Sequence, residues 1–194
     1  MRGINRNGLL LNLLLSNVIL LIVGLLLLKY LALPKLNFVL FSSQGVLSAI
    51  LQTAGFTFLL LTVVLIFTVL IPQEKLNDEI NERLFESLSY PELAAVFLFG
   101  AIVEELLFRV VLQSYTGPVL SSVLFALAHY RYLTKPYILI QVLMIGLVLG
   151  CAYWLTGVFW VVVAIHFCLN LSMAVLEKTG TINKISKKSY GDEA

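Results

Sequence analysis

Residues 101–111 read AIVEELLFRVV, a run that would suit the interior of a lipid bilayer but for Glu104, Glu105 and Arg109. An ionised side chain at the centre of a membrane helix costs about 2.5–3.5 kcal/mol on insertion scales. Together the three oppose burial in lipid unless each finds a partner or a task. Helix geometry supplies one pairing, because Glu105 and Arg109 stand four residues apart on one face, whereas Glu104 is turned about 100° from Glu105. The spacing predicts an internal Glu105–Arg109 ion pair and leaves Glu104 with no local partner.

The sequence around this run sets the class. Of 194 residues, 60% are hydrophobic, and the mean hydropathy is +0.97, far more than a soluble core requires. This is the composition of an all-α, polytopic membrane bundle, and no nucleic-acid partner is expected of it. Apolar runs long enough to cross a bilayer, about 20 residues, fall at roughly 9–28, 44–71, 92–115, 118–130, 137–155 and 158–176. About six transmembrane helices are therefore expected. The fourth run is short and needs shielding by its neighbours, since backbone left open in lipid has no hydrogen-bond partner. The first run is longer than a signal-peptide core and no small-x-small cleavage site follows it, so it is read as a retained helix.

The connections fit this division. Residues 72–92, PQEKLNDEINERLFESLSYPE, set Leu76, Ile80, Leu84, Phe85 and Leu88 at helical spacing, which suggests an amphipathic helix on the membrane surface or, equally, a solvated linker helix with no partner. SYTG (114–117) before Pro118, and LTG (155–157), read as tight turns that make antiparallel hairpins of the third and fourth, and of the fifth and sixth, spans. The polar, Lys-rich tail beyond Glu177 is expected to fray. Three regions follow: 1–91 with two helices and the surface helix, a helical core over 92–176, and a tail over 177–194. Cys151 and Cys168 lie in apolar runs and are read as packing residues.

Six crossings from a cytoplasmic N-terminus place Arg2, Arg6, Lys75, Arg83, Arg131, Lys135, Lys178, Lys184, Lys187 and Lys188 on one side. Only Lys29 and Lys35 fall on the other. That bias predicts both termini in the cytoplasm, and with the compact loops it suits a bacterial inner membrane.

Few polar groups remain inside the spans. The chain has two histidines, His129 and His166. Counting 1.5 Å per residue from the nearest turn puts Glu104 and His129 roughly 16 Å deep, His166 roughly 13 Å and Asn170 roughly 20 Å. One membrane histidine alone is most simply a hydrogen-bonding residue between helices. An acid, two imidazoles and a carboxamide from three helices at one depth read instead as a functional site. Their chemistry suits hydrolysis: Glu104 with His129 could hold and deprotonate a water. His166 and Asn170 could then donate hydrogen bonds to the oxyanion of a tetrahedral intermediate.

EELLFR (104–109), FALAH (125–129) and HFCLN (166–170) resemble, in order and helical placement, the EExxxR, FxxxH and HxxxN motifs of the CAAX-type prenyl endopeptidases. These are intramembrane proteases of the family also called CPBP or Abi. GLVLGCAYWLTG (146–157) resembles the family's glycine-containing hairpin, so the likeness covers roughly residues 92–175. The resemblance implies cleavage of a peptide bond in or near the membrane, with Glu104 and His129 activating water and His166 and Asn170 stabilising the oxyanion. It also implies that Glu105 and Arg109 brace the site and that Phe125 packs one turn from His129. Val110 stands where many members have glycine. The partners implied are the bilayer and a membrane-associated or lipidated peptide.

Glu104, His129 and His166 could also hold Zn²⁺ with a position open for water. No HExxH helix is present, and Arg109 beside the carboxylates disfavours a dication, so no cofactor is favoured. Two other classes stay open on sequence alone. A non-catalytic scaffold or immunity protein could keep the same fold. A proton-coupled transporter could use the same ionisable groups as a relay, although the matched broken helices of many transporters are lacking.

Overall fold

The computed structural model describes residues 6–32 and 45–190. Arg2 and Lys35 of the charge pattern lie outside the described residues, as do the last four residues of the tail. The described residues form helices joined by turns. In chain order they are α1 (Arg6–Leu27, continued as a π-helical turn over Leu28–Ala32), α2 (Val46–Leu70), α3 (Gln73–Leu76), α4 (Glu79–Ser87) and α5 (Tyr90–Glu105). A π-helical stretch (Leu106–Leu112) leads into α6 (Gln113–Ala128), followed by a 3-10 turn (Tyr130–Tyr132), α7 (Pro136–Thr156), α8 (Phe159–Lys178) and α9 (Thr181–Tyr190).

Arg6–Tyr30, Val46–Leu70, Pro136–Thr156 and Phe159–Lys178 are long and apolar enough to cross a membrane. The chain is an integral membrane protein. The other two expected spans differ in kind: α5 and its π-helical continuation carry the charged trio, and α6 is broken at Gly117, which adopts φ 74, ψ 172. Only a residue without a Cβ takes that conformation cheaply, so the chain reverses there as the SYTG turn predicts. The second hairpin closes at Gly157, left-handed at φ 64, whose N–H donates to the Tyr153 carbonyl at 2.8 Å and ends α7.

Helix α8 runs through the middle of the bundle. Val161, Val162, Ile165 and Leu169 pack with Leu60 and Val64 of α2 and Leu149 and Ala152 of α7. On another side Phe159 and Val163 meet Ala101 and Val110; the valine in place of glycine thus fills space inside the core. α6 and α7 approach closely, because Gly150 presents no side chain to Ser122 and Gln113, and the Gln113 amide donates to the Gly150 carbonyl at 2.8 Å.

Two expectations are corrected. The apolar side of the 72–92 segment does not simply rest on lipid: Leu84 and Leu88 are buried against Leu9, Leu93 and Ala174. An amphipathic pattern suits a protein groove as well as a bilayer surface, and here the bundle takes it. The tail does not fray at once, since it forms α9 with Ile182 and Ser186 buried. Basic residues of α1, of α8 and of the turn before α7 fasten the 72–92 segment. Arg6 pairs with Glu92, Lys135 Nζ donates to the Asn77 carbonyl at 3.0 Å, and Lys178 Nζ donates to the Leu88 carbonyl at 3.0 Å.

Candidate active site

Helix α5 begins at Tyr90 with Pro91 in its first turn, where the fixed φ of proline suits a helix, and the N–H and hydroxyl of Ser89 both donate to Glu92 (2.8 and 2.7 Å). Four turns on, at Glu104 and Glu105, the α-helix gives way to the π-helical stretch. Widened turns of this kind are rare and gather at functional sites. They leave carbonyls that need extra partners. Phe108 O accepts from the Gln113 N–H and also from the Ser121 hydroxyl of the returning leg, at 2.6 Å.

The expected ion pair is present. Arg109 Nε donates to Glu105 Oε2 at 2.8 Å, and both side chains are fully buried. The carboxylate also has a second partner that local spacing does not reveal: His166 Nδ1, from α8, lies 2.8 Å from Glu105 Oε1. A carboxylate only accepts, so Nδ1 carries the proton and the free nitrogen of His166 is Nε2. Arg109 completes its surroundings by lying 5.1 Å over the Phe125 ring, a cation–π contact. Its Nη1 and Nη2 find no hydrogen-bond partner among the described residues.

Phe125 is the centre of this packing. Its ring meets Phe108 edge-on at 5.1 Å, His129 at 4.7 Å and His166 at 6.2 Å. His129 closes α6, and its Nδ1 donates to the Phe125 carbonyl at 2.9 Å. Because a carbonyl cannot donate, Nε2 is the nitrogen that neutral His129 keeps free, as a general base requires.

Glu104, His129, His166 and Asn170 all line one cavity of about 320 Å³, which Phe125 also borders. Glu104 is half-buried and makes no hydrogen bond or ion pair among the described residues. Asn170, one turn beyond His166 on α8, is likewise half-buried and uncommitted. No direct bond joins Glu104 to His129; they share a wall of the cavity. Of the two adjacent acids, one is braced by an arginine and the other opens onto the cavity.

Several lining residues escaped the sequence reading. Asn17 of α1 and Gln141 of α7 lie on the same cavity. Each is a polar residue inside an apolar run, a signal that attention to ionisable groups alone passes over. Toward the 72–92 segment the lining continues through Asp78, Asn81, Arg131 and Tyr132.

Among the described residues no three His, Cys, Asp or Glu side chains are grouped so as to hold an ion. His166 gives Nδ1 to Glu105 and keeps Nε2 free, while Glu104, His129 and His166 share the cavity wall. The two cysteines are free thiols.

Comparison with known proteins agrees with the motifs. Residues 86–172 match the family described as type II CAAX prenyl endopeptidase Rce1-like, a span that holds all three motifs. The chain is also 38% identical over 95 residues to the uncharacterized protein YpbD of Bacillus subtilis (strain 168), an alignment that covers 49% of this chain and 50% of that one. The chain thus spans about half the length of the curated relative it matches. No solved structure matches.

Proposed function

Taking residues 86–172 as an Rce1-like segment, we propose that the chain is an intramembrane endopeptidase that hydrolyses a peptide bond of a membrane-associated or prenylated substrate. The observation that carries this reading is the convergence of Glu104, His129, His166 and Asn170 on one cavity, with Glu104 making no hydrogen bond or ion pair among the described residues. The substrate peptide enters the cavity, and a water between Glu104 and His129 loses its proton to them as it attacks the scissile carbonyl. The Asn170 amide and His166 Nε2 donate to the oxyanion that forms. To donate there, His166 must carry a proton at Nε2 as well as at Nδ1 while the oxyanion is present. The proton then passes to the departing amine.

In this reading the chain crosses the membrane six times, with the α5 leg and the leg after Gly117 packed inside the bundle. Both termini lie in the cytoplasm of a bacterial cell, on the side where Arg6, Lys135 and Lys178 hold the 72–92 segment. Glu105, Arg109 and Phe125 hold the reacting groups in place, and water activation needs no metal.

The test is cleavage by the purified chain in liposomes. Reporter peptides with prenylated and with unmodified cysteines near a free C-terminus are offered with and without a strong chelator. Cleavage by the intact chain that resists the chelator, and is lost in Glu104→Gln, supports the reading. Cleavage that survives Glu104→Gln contradicts it.

A further inference from the structure

His129 sits just past the last turn of α6 at φ −80, ψ 50, outside the helical well, and α6 holds its ring at one edge through the bond from Nδ1 to the Phe125 carbonyl at 2.9 Å. Two aromatic rings flank the imidazole. Phe125 lies 4.7 Å away and tilted by 54°. Tyr132 lies 6.1 Å away and almost parallel, at 7°. The chain between them is taut, since the Tyr132 N–H donates to the His129 carbonyl at 2.8 Å.

Tyr132 is itself anchored from a distant part of the sequence. Its ring is buried and its hydroxyl donates to Asp78 Oδ2 at 2.6 Å. Arg131 also donates to that hydroxyl, and Asn81 Nδ2 lies 3.4 Å from it. Arg131 is held in turn by Asp78 Oδ2 at 2.9 Å and by Asn81 Oδ1 at 3.0 Å. Asp78 is well placed for this because it caps α4, its other carboxylate oxygen accepting from the Ile80 N–H at 3.2 Å. Burial pushes the Tyr132 phenol upward from its ordinary value, which keeps the hydroxyl a donor to Asp78.

The geometry points to Tyr132 and Asp78 as a positioning pair for His129: the carboxylate fixes the phenol, and the phenol fixes the plane of the imidazole on the cavity wall. The α3–α4 segment is then part of the apparatus that orients the base, reaching it through one hydroxyl. The proposal rests on the hydrolytic reading only in naming His129 a base, because the contacts hold whatever the reaction is.

The experiment exploits the presence of two histidines in the chain. The full chain in lipid nanodiscs is treated with diethyl pyrocarbonate, and peptide mass spectrometry follows carbethoxylation of each ring. His166, held by Glu105 and not in contact with Tyr132, is the internal reference. Tyr132→Phe and Asp78→Ala should each change the His129-to-His166 rate ratio by about 3-fold or more, a modest part of what an ångström-scale misplacement can do to a reaction rate. The double variant should change it no further than either single one, as coupled residues do. Asp78→Asn, which keeps an acceptor for the phenol, should restore the ratio. Tyr132→Leu removes the ring, and if it does not fold, the two milder variants decide.

Unchanged ratios in Tyr132→Phe and Asp78→Ala, or effects that add in the double variant, overturn the pair. Cleavage assays on the same variants should show kcat falling with KM little changed. A ratio that responds as expected in a chain that cleaves nothing leaves the pair standing and removes the hydrolytic reading. Cleavage with unresponsive ratios does the reverse.

Discussion

His166 Nδ1 lies 2.8 Å from Glu105 Oε1, which ties the central helix α8 to the point where α5 widens into π-helical geometry. The same carboxylate receives Arg109 Nε at 2.8 Å. One buried acid thus balances a guanidinium and orients an imidazole, and it does so on a side chain with no exposure.

Removing that acid should be costly. In Glu105→Ala, Arg109 keeps its charge but loses the hydrogen bond at Nε, while its two terminal nitrogens have no hydrogen-bond partner among the described residues. Breaking a buried pair from one side costs about 3–5 kcal/mol. A loss of that size is expected in reversible unfolding in mixed micelles, together with loss of any cleavage activity. A variant as stable as the intact chain would show that the pair is not what holds these helices together.

Gly150 gives a packing prediction. A Cβ there would lie 3.1 Å from Ser122 Oγ, 3.3 Å from Gln113 Oε1 and 3.3 Å from the Pro118 carbonyl. In Gly150→Ala these atoms must give by a few tenths of an ångström; the Ser122 and Gln113 side chains can turn, but the Pro118 carbonyl is backbone, and overpacking of this kind is expected to cost about 1–3 kcal/mol. Gly150→Val should cost more. Thermal unfolding of the two variants in nanodiscs checks the order, and an alanine variant with unchanged stability would refute the close approach.

Tyr132 makes a prediction about alkaline stability. Its phenol is pushed above the ordinary value of 10.0, first by burial and then by the Asp78 carboxylate, against the opposing effect of Arg131. The folded chain therefore holds this proton more tightly than the unfolded chain. Linkage makes the contribution constant below pH 10 and makes stability fall as pH rises above it. Unfolding measured between neutral pH and about pH 11 should show this decline, and Tyr132→Phe should lessen it. An identical alkaline decline in the phenylalanine variant would assign it to other groups.

What the sequence made legible was local or counted from local marks. Glu105 and Arg109 are one helical turn apart, so their pairing follows from spacing. The reversals at Gly117 and Gly157 follow from residues that tolerate positive φ. The shared cavity of Glu104, His129, His166 and Asn170 was reachable by measuring depth from those turns. The bond between His166 and Glu105 was not, because it joins residues 61 apart through packing between helices. Nor does an apolar run such as LLFRVVL announce that it will widen into a π-helix. The docking of Leu84 and Leu88, and the order in α9, were hidden for another reason: a one-sided apolar pattern states that a face will be covered and not by what. Tyr132 lay just beyond the expected end of a span, where a loop tyrosine gives no sign of its distant acid.

The central claim is that Glu104 is the reactive acid, and the most direct measurement of it is the set of peptide termini generated in cells. Membrane-associated peptides would be compared between cells carrying the intact chain and cells carrying Glu104→Gln, a change that removes no hydrogen bond or ion pair among the described residues. New termini present with the intact chain and missing with the variant, at equal amounts of folded protein, are the predicted result. The same termini in both would contradict the account.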